Sequence, residues 1–150
     1  MWFHNEKEYT SDDVVSNLAD TDRGIVVLDG PSGCGKTTII KTLQSTGAKI
    51  VSGEFASEVV RDFEKNIEDP VKIALRYLEG YDTVCLEDVD LHLKGRPATT
   101  SFIKQAITTL SSKCLVVLTG IDLLYRVPDL MSGLDMTHYS WNDKKQSVKV

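Results

Sequence analysis

The stretch GPSGCGKTT, Gly30 to Thr38, restricts what this chain can fold into more than any other. It meets every fixed position of G-x-x-x-x-G-K-[ST], follows the apolar run GIVVLD and leads into the helix-forming segment TTIIKTLQSTG. Gly30, Gly33 and Gly35 open backbone conformations closed to residues with a Cβ, so that successive N–H groups can turn inward around an anion. The helix behind the loop aims its N-terminal amides and positive dipole end at the same point, and Gly47 supplies its stop. A strand, a phosphate loop and a helix are therefore expected here. All nine loop residues, Gly30, Pro31, Ser32, Gly33, Cys34, Gly35, Lys36, Thr37 and Thr38, count as nucleotide-binding candidates. Lys36 would reach the β- and γ-phosphates, and the Thr37 hydroxyl would be a magnesium ligand.

Five apolar runs read as strands: residues 24–30, 49–53, 83–88, 113–120 and, more weakly, 135–141. The third and fourth are nearly continuous hydrophobic stretches, as in strands covered on both faces of a parallel sheet. Helical stripes separate them. Val59, Val60, Phe63 and Ile67 share one face, and Phe102, Ile103, Ala106, Ile107 and Leu110 another. Before the first strand, Thr10 and Asp13 have capping-box spacing, with Val14, Val15 and Leu18 on one side of the helix they open. This alternation predicts an α/β fold, a three-layer α/β/α phosphate-loop domain with a five-stranded, mostly parallel sheet. A length of 150 residues with 41% hydrophobic content suits one core. The expectation is a single domain over 1–150, with 1–23 as a helical lead-in and 142–150 as a polar tail that frays.

The segment TVCLEDVD, Thr83 to Asp90, loads three carboxylates onto the end of a core strand. Acids in that place are costly unless a cation or hydrogen bonds meet them. In a parallel sheet the C-terminal strand ends share one edge, so these acids would lie beside the phosphate loop, and the cation would be nucleotide-bound magnesium. Glu87 and Asp88 are the pair placed to hold the hydrated metal and to polarise an attacking water. Asp90 reads as a loop-capping acid.

Other features exclude more than they assign. No apolar run of about 18 residues is present and the N-terminal stretch MWFHNEKEY lacks a signal-peptide pattern, so a soluble, cytoplasmic protein with no membrane partner is expected. Cys34, Cys85 and Cys114 are odd in number and lack metal-ligand spacing, which reads as reduced thiols, while His4, His92 and His138 are scattered. The net charge of −5 argues against unaided DNA binding through a basic surface. Charge is nevertheless uneven, with 11 acids against 4 bases over residues 54–90 and 4 acids against 8 bases over 91–150.

From Gly24 to about Leu134 the order of segments resembles the nucleotide-binding core of AAA+ ATPases, closest to the bacterial replication initiator (DnaA) type and its helicase-loader relatives. The matching pieces are GPSGCGKTTIIKTL, VSGEFASEVVRDFEKN, YDTVCLEDVDLHLKG, which stands where that family has D-x-L-L-I-D-D-I-Q-x-L, TTSFIKQAITTL and CLVVLTGID. The resemblance implies Walker A roles for Lys36 and Thr37, and a Walker B pair with Glu87 as the metal-side acid and Asp88 as the catalytic acid. It also puts Thr119 at the first sensor position, where it would contact the γ-phosphate or its attacking water. ATP and Mg²⁺ are the implied cofactors, with ADP as the product form. Implied partners are further copies of the chain or a protein of a replication complex, with any direct DNA contact weak.

The chain also departs from the family pattern. Glu87 replaces the usual leading aspartate, Ser132 and Gly133 stand where a serine–arginine finger is expected, and Arg126 lies a few residues early. Within the 150 residues no counterpart of the helical lid or of its sensor arginine is expected. Weak magnesium-dependent hydrolysis, or binding without turnover, follows. Two other readings stay open. One is a small-molecule or nucleotide kinase, disfavoured by five unclustered arginines. The other is a non-catalytic adaptor using the acidic helices of 54–82.

Overall fold

The computed structural model describes residues 1–51 and 81–142. Among these residues a seven-stranded sheet runs in the order β2 (Lys7–Tyr9), β1 (Trp2–His4), β7 (Met136–Trp141), β3 (Gly24–Asp29), β6 (Leu115–Gly120), β5 (Thr83–Leu86) and β4 (Ile50–Val51). Its parallel block consists of β3, β4, β5, β6 and β7. These are the five strands expected from the apolar runs. The helical stripe at 59–67, the acidic segment 54–82 apart from its last two residues, and the tail from 143 onward lie outside the described residues.

Alternation along the strands builds two apolar layers. Val26, Leu28, Cys85, Leu115 and Val117 face helices α1 (Ser11–Ala19) and α2 (Lys36–Ser45), through Val14, Leu18, Ile39 and Leu43. Ile25, Val27, Val84, Leu86, Val116 and Leu118 face the opposite way. On that side they meet α3 (Val89–Leu93), α4 (Pro97–Ser111), α5 (Leu123–Arg126) and α6 (Pro128–Met131). The stripe predicted at Phe102, Ile103, Ala106, Ile107 and Leu110 is buried there on α4. In α1 the capping box forms: Asp13 N–H donates to Thr10 Oγ1 at 3.0 Å, and Thr10 N–H donates to Asp13 Oδ2 at 2.9 Å.

Two features differ from the sequence expectation. The lead-in is not only helical, because β1 (Trp2–His4) and β2 (Lys7–Tyr9) form an antiparallel hairpin, and β1 continues the sheet antiparallel to β7. Asn5 and Glu6, at φ 50° and 67°, make the two-residue turn, and Trp2 is fully buried against Trp141. Three-residue strands are too short for hydrophobic alternation to declare them. In addition, β5 ends at Leu86 and not at Asp88. Asp88 takes a left-handed conformation, φ 56° and ψ 44°, which ends the extended chain and turns it into α3.

All three cysteines are free thiols. Burial pushes Cys85 well above the ordinary thiol range, and burial with the nearby Asp82 charge raises Cys114 to about 11. Among the described residues no helix is long and apolar enough to cross a membrane, and no group of three or more His, Cys, Asp or Glu side chains could hold a metal on its own.

Candidate nucleotide-binding site

The loop begins where β3 runs out. Gly30 extends the ladder by one step, its N–H donating to the Gly120 carbonyl at 3.1 Å. A Cβ at Gly30 would lie 2.7 Å from Cys34 Sγ and 2.7 Å from Trp141 Cβ, so there is no room for a side chain. Gly33 and Gly35 serve the other purpose of glycine, with φ of 85° and 103°. Gly35 is the N-cap of α2 and offers no side-chain acceptor, which leaves first-turn amides of the helix free for an anion. The Lys36 ammonium donates to the Gly30 carbonyl and, at 3.4 Å each, to those of Pro31 and Gly120.

An open cleft of about 350 Å³ lies along this loop. Ser32, Gly33 and Gly35, with Lys36, Thr37 and Thr38 of α2, form one side; Asp88 and Ile121, leaving β5 and β6, form the other. The carboxylate expected to activate water and the loop's lysine and threonine therefore share one cavity. The rest of the expected set sits around it. Glu87 is half-buried beside the strand end, has no hydrogen bond or ion pair among the described residues, and does not line the cleft. Thr119 is buried behind Asp88, and its hydroxyl oxygen accepts from the Asp88 N–H at 3.2 Å. Gly30 and Pro31 border a separate cleft of about 230 Å³ with Asp29, Ser140 and Trp141. Cys34 points toward Gly30, and burial raises its thiol pKa despite the Lys36 charge.

Two carboxylates hold the far wall: Asp29, which sequence reasoning did not find, and Asp90, which it read as a loop cap without its arginine partner. Asp29, the last residue of β3, accepts from Asp122 N–H at 2.8 Å, Leu123 N–H at 3.1 Å and His138 Nε2 at 3.3 Å. Burial alone would raise its pKa, but these donors and the imidazole outweigh burial and hold it below the usual carboxylate value. Asp90 does cap a loop, since Ile121 N–H donates to its Oδ1 at 3.4 Å. It is also 2% exposed and accepts from Arg126 Nη1 at 3.1 Å. For Asp29 the only sequence signal was an acid directly at a strand end. Arg126 is thus held within its own chain.

No protein-family model matches the chain, and no curated protein matches it in sequence. Solved structures do match in three dimensions. A DNA replication initiation factor superposes with a TM-score of 0.59 at 17% identity, covering 91% of this chain and 46% of that one. The replication initiator DnaA bound to AMPPCP and single-stranded DNA gives 0.55 at 19%, covering 93% and 49%. Domain III of the Thermotoga maritima replication initiation protein DnaA gives 0.58 at 12%, covering 90% and 61%. The chain shares its fold with these replication initiators. The chain spans about half the length of the structures it resembles, and at these identities the likeness speaks for the fold alone.

Proposed function

We propose that this chain binds ATP as its magnesium complex, hydrolyses it slowly, and acts as a nucleotide-dependent partner or regulator in a replication-related assembly. The observation that carries the nucleotide reading is the convergence of Lys36, Thr37 and Asp88 on one cleft beneath the free amides of α2. In this reading the loop amides and Lys36 take the β- and γ-phosphates, the ammonium leaving its carbonyl partners for the more strongly charged oxygens. Residue chemistry fits a magnesium ion that keeps most of its ligands as water and phosphate, because a hydroxyl and carboxylates stand near the cleft and no all-protein cage is present among the described residues. Thr37 and Asp88, which line the cleft, would hold it together with Glu87 beside the strand end, and when bound it would neutralise charge developing on the phosphates. Asp88 would orient and polarise the attacking water, with Thr119 fixing the backbone of Asp88 from behind.

ATP is preferred over GTP because the sequence carries no N-K-x-D guanine motif. The similar DnaA structure bound to AMPPCP and single-stranded DNA supports a triphosphate ligand and suggests the assembly context. With a net charge of −5, a protein partner is favoured over direct DNA contact. Measuring phosphate release from Mg·ATP with and without candidate acceptors tests the hydrolysis. Slow acceptor-independent release that disappears in Asp88→Asn supports it; consumption of ATP only with an acceptor would point to a kinase.

A further inference from the structure

We infer that Asp90 is a positioning residue for this site, acting through Arg126 and the backbone after β6; the inference rests on the ATP reading above. The two strand ends that face the phosphate loop are tied together twice. Asp88 N–H donates to Thr119 Oγ1, and two residues further along each chain Ile121 N–H donates to Asp90 Oδ1. The acceptor of the second tie is the buried Asp90 carboxylate, and its other oxygen holds Arg126 at 3.1 Å, fixing the end of α5. Space is tight around it, because a Cβ on Gly120 would lie 2.7 Å from Asp90 Oδ1. Gly120 in turn accepts from Lys36, and Ile121 and Asp88 line the cleft opposite the loop. Asp90 therefore connects to both sides of the site while lining no part of it. A carboxylate buried to 2% exposure would be left uncompensated if Arg126 moved away, which favours keeping the segment 120–126 where it is.

Such a buttress acts on orientation, so its loss lowers turnover more than affinity. Two readouts test this, the first independent of nucleotide. In nucleotide-free protein the Ile121 amide is expected to be protected from hydrogen exchange, and Asp90→Asn or Arg126→Gln to speed its exchange by about tenfold or more. In Mg·ATP turnover, Asp90→Asn is expected to cost roughly 10–100-fold in kcat with Kd within about threefold. Asparagine can still accept from Ile121 but presents N–H groups to the guanidinium. In the double variant Asp90→Asn/Arg126→Gln, the new amide nitrogen can donate to the new amide oxygen, and most of the lost kcat should return, which general destabilisation would not produce. An unprotected parental Ile121, exchange unchanged by Asp90→Asn, or parental kcat in Asp90→Asn overturns the inference while leaving nucleotide binding intact. A parental protein that binds no Mg·ATP instead defeats the ATP reading, and this inference with it.

Discussion

Replacing Lys36 by alanine should have two separable effects, one on the free protein and one on its response to nucleotide. In the free protein the ammonium makes one close contact, to Gly30, and two long ones of 3.4 Å to Pro31 and Gly120, from a half-buried position. That amounts to one charge-assisted hydrogen bond, about 1.5 kcal/mol, offset by a few tenths from the better helix propensity of alanine at the start of α2. A net loss of about 1 kcal/mol lowers Tm by about 2–4 °C in a chain of this size. For the parental protein, Mg·ATP at 100 times its Kd adds about 2.7 kcal/mol, or about 5–10 °C. Removing the phosphate-facing cation costs a further 1.5–3 kcal/mol or so in binding, which weakens Kd roughly 10- to 100-fold. At the same nucleotide concentration the stabilisation then falls to about 0.4–1.4 kcal/mol. Calorimetric melts of both proteins, with and without Mg·ATP, measure all four states. A Lys36→Ala protein that keeps the full parental shift would show that the ammonium does not face the phosphates.

Asp88→Asn should keep the parental melting shift with Mg·ATP and lose phosphate release, whereas Glu87→Gln should weaken the magnesium dependence of binding; a titration of Mg²⁺ at fixed ATP distinguishes them. Gly30→Ala forces a methyl group into the 2.7 Å spaces beside Cys34 Sγ and Trp141 Cβ, and overpacking of this kind costs about 1–3 kcal/mol. A lower Tm with altered tryptophan emission is the expected result. Asp29 is a carboxylate whose folded pKa lies below its ordinary value, so its contribution is complete above the unfolded pKa and disappears as pH falls through the folded one. Asp29→Asn should therefore flatten the acid limb of a Tm-against-pH curve below about pH 4 and lower Tm on the neutral side. An unchanged acid limb would contradict the assignment.

What could be read from the sequence was whatever is specified locally. A phosphate loop declares itself because each glycine answers a backbone demand within a few residues, as Gly33 and Gly35 do at positive φ. β5 and β6 were legible because burial on both faces writes an unbroken apolar run, as in LVVLTG of β6, whereas β7, with one buried residue in MTHYSW, was read only weakly. The hairpin at Trp2–Tyr9 was not, because what it buries is one tryptophan packed against Trp141, at the other end of the described chain. Nor was the end of β5: TVCLED reads as one continuous strand, and only the left-handed Asp88 shows that the two acids have left the ladder. Asp29 and Asp90 find their partners 93 and 36 residues away, at distances no local pattern encodes.

The pairing of Arg126 with Asp90 also bears on how fast such a site can turn over. An arginine supplied to the γ-phosphate, from the same chain or a neighbour, is worth 10³ to 10⁵ in rate in related phosphoryl-transfer enzymes. Arg126 is the arginine closest in sequence to Ser132 and Gly133, where the resemblance to AAA+ ATPases implies a finger. Freeing it would leave the Asp90 carboxylate, 2% exposed, without its cation. Breaking a fully buried pair costs about 3–5 kcal/mol; with Arg126 at 35% exposure the figure falls below that, but it still opposes release. Charge donation by Arg126 to a second copy therefore competes with the contact that holds Ile121 against the cleft. Under the proposed function, turnover per molecule should be slow and should not rise with protein concentration. A specific activity that climbs severalfold from nanomolar to tens of micromolar protein, and that Arg126→Gln abolishes, would show that the arginine does leave Asp90 to complete a neighbour's site.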